Sequence, residues 1–247
     1  MTHVTVTNAQ TIAAYAFENC ASLKTVELNN DIISIDAGAF RGCTSLRELT
    51  VPSDVMAIPE EMMRNCTSLK AFYYEASSVS TIGEDAFAGC AALEMINSDE
   101  SGAFVFSENL TSIGKGALNG CVKLKKLTVP FIGESRNPSE NAAMFGYIFG
   151  TTAYTGGNAT VQDWNGDAWN EVTYYIPVQL KLVMVTDAMQ IADYAFENCS
   201  TLTELLINEG AQSYVGVDAF KNCVTPTYIT IQFNDNSEIN FDFVTIY

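Results

Sequence analysis

Residues 81–90 read Thr81-Ile82-Gly83-Glu84-Asp85-Ala86-Phe87-Ala88-Gly89-Cys90, and six other segments of the chain repeat this pattern. A branched apolar residue stands eight positions before each cysteine, and a large apolar residue, usually a phenylalanine preceded by alanine, stands three positions before it. The cysteines that carry the register are Cys20, Cys43, Cys66, Cys90, Cys121, Cys199 and Cys223. The interval between neighbours is nearly constant, except that it is longer from Cys90 to Cys121 and much longer from Cys121 to Cys199. An internal repeat with a period of about 23 residues predicts a solenoid, in which each coil packs on the next.

Each repeat combines a strand pattern with a helix-like pattern. The segment Leu23-Lys24-Thr25-Val26-Glu27-Leu28 alternates apolar and polar side chains, which is typical of a short strand with one buried face. From the branched residue to the cysteine, apolar residues lie at offsets 0, 4, 5 and 8, a spacing that predicts a short helix. The position before each cysteine holds only Asn or Gly, which tolerate a left-handed backbone, so we expect each helix to end there.

The repeat also predicts how the core is built. A single coil is too short to enclose its own Ile, Phe, Cys and Leu side chains, but neighbouring coils can cover one another. Strands of successive coils would then lie about 4.8 Å apart in a parallel sheet. We therefore expect equivalent side chains of consecutive coils to form continuous columns in the interior.

The unit I-x-x-x-A-F-x-x-C-x-x-L-x-x-[VIL]-x-[VIL] resembles the BspA-like leucine-rich repeat of bacterial, and some protist, surface proteins. The resemblance covers about Thr2–Leu127 and Leu180–Ile231. It implies an α/β leucine-rich-repeat solenoid of horseshoe shape, with a parallel β-sheet on the concave side and short helices on the convex side. It also implies a secreted or cell-surface setting and a part in adhesion or host interaction.

The spacing of the repeats predicts one continuous solenoid domain with one large insertion. We place N-terminal coils at 1–129, an insertion that expands the convex half of one coil at 130–179, C-terminal coils at 180–231, and a terminal hairpin or cap at 232–247. A smaller insertion, Asn97–Phe104, is expected to form a protruding turn. Because the first residues resemble a strand from the middle of a coil, we expect the chain to be a piece of a longer array.

Composition excludes several classes of function. The chain of 247 residues has 12 Lys and Arg against 29 Asp and Glu, which gives a net charge of −17 and disfavours nucleic acid or an anionic membrane as a partner. The only histidine is His3, and the chain contains no phosphate-binding loop, nucleophile motif or zinc signature. The longest uncharged run, Asn141 to Gln162, is rich in Gly, Thr and Asn and is not apolar enough for a membrane span. We therefore predict no enzyme activity, no catalytic residue, no cofactor and no membrane span.

Two patterns leave alternatives open. Aligned cysteines can form disulfides or bind metal, but an odd number in one register, with parallel Cβ vectors, favours buried free thiols. The run Asp163-Trp164-Asn165-Gly166-Asp167 resembles the start of a calcium loop. Ala168 and Tyr174 stand where such a loop needs Gly and Glu, which favours an ordinary turn rich in Asn and Asp. We predict no metal site.

The outward positions of the predicted strands indicate a binding surface. These positions, five and seven places after each cysteine, are polar in the first coils and partly apolar later. The predicted binding stripe consists of Tyr73, Met95, Leu182, Met184, Leu206 and Tyr228. An exposed apolar patch predicts either a partner or a cover, and here the cover would be the chain's own insertion.

The leading hypothesis for function is a non-enzymatic leucine-rich-repeat binding module for protein–protein interaction or adhesion. It would be secreted or attached to the cell surface of a bacterium, although no secretory signal is recognisable in this sequence. Its partner would be a protein ligand or another host or cell-surface component. An alternative is glycan binding by Trp164 and Trp169 of the aromatic-rich insertion, since tryptophan rings stack on sugars, and a third possibility is a structural spacer.

Overall fold

The structure is a computed structural model that describes residues 1–75, 78–97, 104–188, 190–209, 215–223, 228–232 and 238–241. For residues 208, 209, 228–232 and 238–241 it describes the backbone alone. In chain order the strands are β1 (His3–Thr5), β2 (Thr11–Ile12), β3 (Thr25–Glu27), β4 (Ser34–Ile35), β5 (Glu48–Thr50), β6 (Ala57–Ile58), β7 (Ala71–Tyr73), β8 (Thr81–Ile82), β9 (Met95–Ile96), β10 (Phe104–Val105), β11 (Ser112–Ile113), β12 (Lys126–Val129), β13 (Gly157–Gln162), β14 (Val172–Pro177), β15 (Leu182–Ala188), β16 (Glu204–Glu209), β17 (Tyr228–Gln232) and β18 (Glu238–Phe241). Two 3₁₀ helices, η1 (Glu140–Ala143) and η2 (Phe145–Phe149), lie between β12 and β13.

The strands on one side of the coils form a first row of parallel strands, as the sequence predicts, and the coil between Cys90 and Cys121 supplies both β9 and β10 to it. The hydrogen-bonded groups in this row are β1 with β3, then β5 with β7 and β9, then β10 with β12, β15, β16 and β17. The register aligns buried apolar residues, so Leu49 pairs with Phe72 and Phe72 with Ile96. The parallel sheet of the solenoid is therefore confirmed. At its end, β18 pairs with β17 in the antiparallel sense.

A second row of short parallel strands lies at the branched apolar residue of each repeat. Strand β2 pairs with β4, and β8 pairs with both β6 and β11. The branched residues Ile12 and Ile35 face each other in this register, as do Ile58 and Ile82. Each coil thus contributes two extended segments, one to each row. The predicted helix would lie between the second row and the cysteine.

The prediction of short helices on the convex side is wrong. In each coil the segment before the cysteine is a series of turns, because it contains two residues with positive φ rather than one. The expected left-handed residue directly precedes cysteine, and the unexpected one lies five positions before cysteine. The unexpected residues are Tyr15, Gly38, Glu61, Asp85, Gly116, Tyr194 and Asp218. A helix needs consecutive residues with negative φ, so a left-handed residue at both positions prevents it.

Hydrogen bonds on this turn side alternate between the coil and its neighbour. The amide of Glu18 donates to the Tyr15 carbonyl of its own coil at 3.0 Å, whereas the amide of Phe17 donates to the Ala39 carbonyl of the next coil at 2.8 Å. The same alternation recurs in later coils, for example from Phe40 to Met62 at 3.0 Å. The turn side is therefore tied from coil to coil by backbone hydrogen bonds, as the strand side is.

The cysteines form a column of buried thiols. All seven are free, and all except the half-buried Cys20 are buried. Thiols of this column donate to a phenylalanine or methionine carbonyl of the preceding coil, as Cys66 does to Phe40 at 3.1 Å and Cys90 does to Met63 at 3.1 Å. Cysteine fits this position because it is small and apolar, yet supplies a weak donor for a buried carbonyl.

The long insertion supplies a layer of the core before it leaves the solenoid. The Leu118 amide donates to the Ile148 carbonyl of η2 at 2.8 Å, and the Phe145 amide donates to the Ala195 carbonyl at 2.8 Å. The rings of Phe145 and Phe196 lie 4.9 Å apart between centroids. Helix η2 therefore occupies the level between two regular coils, and the β13–β14 hairpin follows it.

The shorter insertion differs from its expected extent. Phe104, expected at the end of a protruding turn, is buried in β10 and pairs with Leu127 of β12. The chain thus returns to the sheet one residue earlier than the spacing indicates, because Phe104 fills the core position next to Leu127. Residues 98–103 of the expected turn lie outside the described residues.

Candidate functional site

We call the outward side of the first row of strands the strand face. At its first apolar patch, the Tyr73 hydroxyl donates a hydrogen bond to the Met95 sulfur at 3.3 Å, across neighbouring strands β7 and β9. Both side chains are half-buried. The contact holds the tyrosine ring against the sheet, so that the two side chains present one apolar surface.

A second apolar patch lies on β15 and β16. The register places Met184 between Thr128 and Leu206, whereas Leu182 lies between Lys126 and Glu204. Met184, Leu206 and Leu182 are all half-buried. Met184 and Leu206 are therefore direct neighbours, and Leu182 borders them with a charged residue on each side.

One residue that sequence reasoning missed lies between the two patches. Val105 of β10 pairs with Thr128 of β12 and is half-buried, so it belongs to the strand face. The insertion before Phe104 hid it, because counting from Cys90 assigns this strand position to Asn97. The sequence carries no clear signal for it, because Phe104, Val105 and Phe106 are all apolar and do not alternate with polar residues.

For Tyr228, the last member of the predicted stripe, the structure describes only the backbone. Its register partner in β16 is Glu204 rather than Leu206. The described members of the stripe thus form two patches, Tyr73 with Met95 and Met184 with Leu206 and Leu182, joined through Val105 and Thr128.

The insertion's hairpin packs on the turn side. Gln162 of β13 is fully buried, and its Nε2 donates to the Ala195 carbonyl at 2.9 Å while its Oε1 accepts from the Gly146 amide at 2.7 Å. The Asn198 side chain donates to the Val161 carbonyl at 2.6 Å. These contacts hold the hairpin against the segment that precedes Cys199, on a different wall from the strand face.

The two tryptophans of the insertion have different environments. Trp169, in the loop between β13 and β14, has 92% of its surface exposed. Trp164 is half-buried and packs on the small apolar cluster of Met144 and Tyr174. It also borders an open groove of about 280 Å³ that is lined by Glu140 and Asp193 among others. Trp169 is thus available to a ligand, whereas much of Trp164 is used in packing.

The aspartates of the hairpin loop bind the loop's own backbone. Asp163 accepts hydrogen bonds from the Asn165 amide at 3.1 Å and the Ala168 amide at 2.7 Å. Asp167 accepts from the Trp169 amide at 2.9 Å, and this bond lowers the pKa of the Asp167 carboxyl. In the part of the chain that the structure describes, no group of three or more His, Cys, Asp or Glu side chains could hold a metal ion. The segment is an Asx-rich turn that fixes the loop carrying Trp169.

The repeat register is matched by a family model. The model for the BspA-type leucine-rich repeat region matches six copies, over residues 1–104 and 178–243. The chain belongs to the BspA-type leucine-rich repeat family. The BspA-type repeats hold Tyr73, Met95, Leu182, Met184 and Leu206, whereas both tryptophans lie in the stretch outside the matched residues.

Solved structures that this chain resembles include three leucine-rich repeat proteins. A leucine-rich repeat protein of T. pallidum shares 22% identity, with 90% of this chain and 76% of that chain covered and a TM-score of 0.48. One from Bacteroides ovatus shares 16% identity, with coverage of 91% and 73% and a TM-score of 0.42. A leucine-rich cell surface protein from Faecalibacterium prausnitzii shares 21%, with coverage of 96% and 62% and a TM-score of 0.44. A search of curated proteins gives no match.

No described segment of this BspA-type chain is a helix of the length and apolarity required to cross a lipid bilayer. The chain has two candidate sites on separate walls of the solenoid. One is formed by the apolar patches of the strand face, and the other is the hairpin loop that carries Trp169.

Proposed function

We propose that this BspA-type repeat chain is a non-enzymatic binding module, secreted or displayed on the surface of a bacterium, that holds a protein partner on its strand face. The observation that carries the proposal is the pair Met184 and Leu206, which are direct neighbours on a hydrogen-bonded sheet and remain only half-buried. Apolar side chains that face outward from a sheet with a complete interior are typical of a contact surface.

The sheet favours binding because it is rigid. The buried residues Val183 and Leu205 anchor the strands that carry Met184 and Leu206, so little conformational entropy remains to be lost when a partner binds. Charged residues border the patch at Lys126 and Glu204. An apolar centre with a polar rim is the usual composition of a protein interface.

Photocrosslinking tests the proposal. A photoreactive residue at Leu206 is compared with one at Thr50, which is exposed at the polar end of the same row. We expect a protein of the bacterial or host surface to crosslink through position 206 and not through position 50. The purified partner should then bind Met184→Lys about tenfold more weakly than the unchanged chain, while Thr50→Lys binds as before. Equal crosslinking at both positions, or equal affinity of both variants, would contradict the proposal.

A second candidate function is glycan binding by Trp169, which the exposure of this side chain on a loop fixed by Asp167 favours. A flat aromatic ring can stack on the apolar face of a sugar. Because Trp164 and Trp169 are the only tryptophans, the Trp164→Phe variant reports on Trp169 alone. Titration with bacterial or host polysaccharides should change its fluorescence, and Trp169→Ala, which removes the aromatic ring, should remove binding. Unchanged fluorescence with all polysaccharides would eliminate this candidate.

A further inference from the structure

A line of basic residues, which we call the basic edge, lies directly before the first-row strands, four positions after the cysteines. The basic residues at this position are Lys24, Arg47, Lys70 and Lys125, and Lys181 takes the place in the coil formed by the insertion. All five side chains are exposed. Four positions after the three remaining cysteines the sequence has Glu94, Thr203 and Thr227. A chain of net charge −17 thus concentrates positive charge along one line.

Backbone hydrogen bonds show that these residues stack. The Lys70 amide donates to the Arg47 carbonyl at 2.7 Å, and the Glu94 amide donates to the Lys70 carbonyl at 2.9 Å. Farther along, the Lys181 amide donates to the Lys125 carbonyl at 2.9 Å. Within each of the pairs Arg47–Lys70 and Lys125–Lys181, the two basic residues therefore start from backbone positions one strand spacing apart, which is about 4.8 Å. The acidic Glu94 separates the two pairs.

A cavity lies where the two stacked groups meet. It has a volume of about 230 Å³ and is lined by Lys123, Lys125, Lys126, Glu94, Phe104 and Gln179. Among the described residues, no carboxylate lies within ion-pair distance of Lys123, Lys125 or Lys181. By contrast, Lys221 pairs with Glu197 at 2.9 Å. Lys123 and Lys125 therefore retain their capacity to bind an external anion.

We propose that the basic edge binds an acidic polysaccharide, with a carboxylate or sulfate group seated in the cavity beside Lys123 and Lys125. A pyranose chain advances by about one strand spacing per sugar, so anionic groups along it can match successive coils. Acidic side chains on one face of an extended peptide recur only at every second residue, about 6.6 Å apart, which is out of step with the coils. Nucleic acid is the alternative polyanion, and the test below includes it as single-stranded DNA.

This inference is independent of the proposed protein-binding function, because it concerns the edge of the strand row and not its outward face. It also differs from glycan stacking on Trp169, since it requires charge on the sugar. The overall negative charge aids the test, because it suppresses unspecific attraction of polyanions to the rest of the surface.

The test measures binding of heparin, which carries sulfate, and polygalacturonate, which carries only carboxylate, with neutral dextran as the reference. We expect binding to at least one of the charged chains and none to dextran, with affinity falling as salt is added. The double variant Lys125→Glu/Lys181→Glu should bind about tenfold more weakly, and Lys125→Gln/Lys181→Gln should also lose affinity. Comparison of the two polysaccharides identifies the preferred anionic group.

Lys115→Glu is the matched control, since Lys115 is exposed on the turn side and its replacement makes the same change of charge per residue. It should bind nearly as well as the unchanged chain. Thermal unfolding of all variants should be alike, because each altered side chain is exposed. Absence of binding to both charged polysaccharides, an equal loss in Lys115→Glu, or equally tight binding of polyglutamate or single-stranded DNA would overturn the proposal.

Discussion

The thiol of Cys66 donates a hydrogen bond to the carbonyl oxygen of Phe40 in the preceding coil, with 3.1 Å between sulfur and oxygen. Cys43 makes the same bond to Phe17 at 3.1 Å, and Cys223 makes it to Phe196 at 2.8 Å. The repeated cysteine thus joins coils by a polar contact inside an apolar core, which explains why a thiol rather than a methyl group recurs there.

Replacing Cys66 by alanine should destabilise the protein by about 1–3 kcal/mol, because the Phe40 carbonyl loses a donor in a buried position. Urea unfolding measures the change. Cys20→Ala is the control, since Cys20 is only half-buried in the first coil and its loss should cost much less. Equal destabilisation by both replacements would contradict a special role for the buried bond.

Stability should fall in strongly alkaline solution. Burial, reinforced by the neighbouring Cys20, raises the pKa of the Cys43 thiol from 9.0 to about 12, and burial raises the pKa of Tyr74 from 10.0 to about 12. Because these folded-state pKa values exceed those of the unfolded chain, the resulting stabilisation is complete below pH 9 and is lost as the pH rises toward about 12.

Urea unfolding at several pH values between 8 and 11 tests this expectation, since the transition midpoint should move to lower urea above pH 9. The variant Cys43→Ala should show a shallower dependence on pH. A midpoint that stays constant over this range would show that the buried thiols are not coupled to folding.

Gly42→Ala should cost about 1–3 kcal/mol, since Gly42 has φ of +72° and an added Cβ would lie 2.4 Å from Oδ1 of Asn19. The left-handed backbone opposes a side chain at this point, and the Asn19 side chain of the neighbouring coil would have to shift. Asn65→Gly, at the same position of the next coil, is the control and should change stability by only a few tenths of a kcal/mol. The comparison is made by thermal unfolding, and a harmless Gly42→Ala would refute the close stacking of turns.

Gln162→Met should loosen the hairpin. The methionine fills a similar volume but leaves the buried Gly146 amide without its 2.7 Å acceptor, at a cost of about 1–3 kcal/mol. Hydrogen exchange in β13 and β14 should accelerate more than exchange in β5 and β7. Gln179→Met, at an exposed position, serves as the control and should leave both unchanged. Uniform acceleration throughout the chain would mean that the hairpin does not open separately.

The parts of the fold that were predictable are those in which residue identity and geometry correspond closely. The strands at Val26 and Leu49 could be predicted because apolar and polar residues alternate there. The left-handed positions at Asn65 and Gly89 could be predicted because few residues other than Asn and Gly tolerate that conformation. The helices were mispredicted because the second left-handed position holds residues as different as Tyr15 and Glu61, whose identity does not indicate a positive φ.

The candidate site was predictable only where the register is regular. Met184 and Leu206 follow from the count after each cysteine, and the structure places them side by side. Val105 was missed because an insertion shifts that count within its own coil. Trp164 and Trp169 look equivalent in sequence, yet only packing on Met144 and Tyr174 decides that Trp169 is the exposed one.

The alternating hydrogen bonds of the turn side have a consequence for mechanical strength. Phe17 reaches Ala39 of the next coil by a backbone hydrogen bond of 2.8 Å, much as strands reach each other on the opposite wall. Pulling one coil away from its neighbour must therefore break backbone hydrogen bonds on both walls at once, so a load along the stack is shared between them.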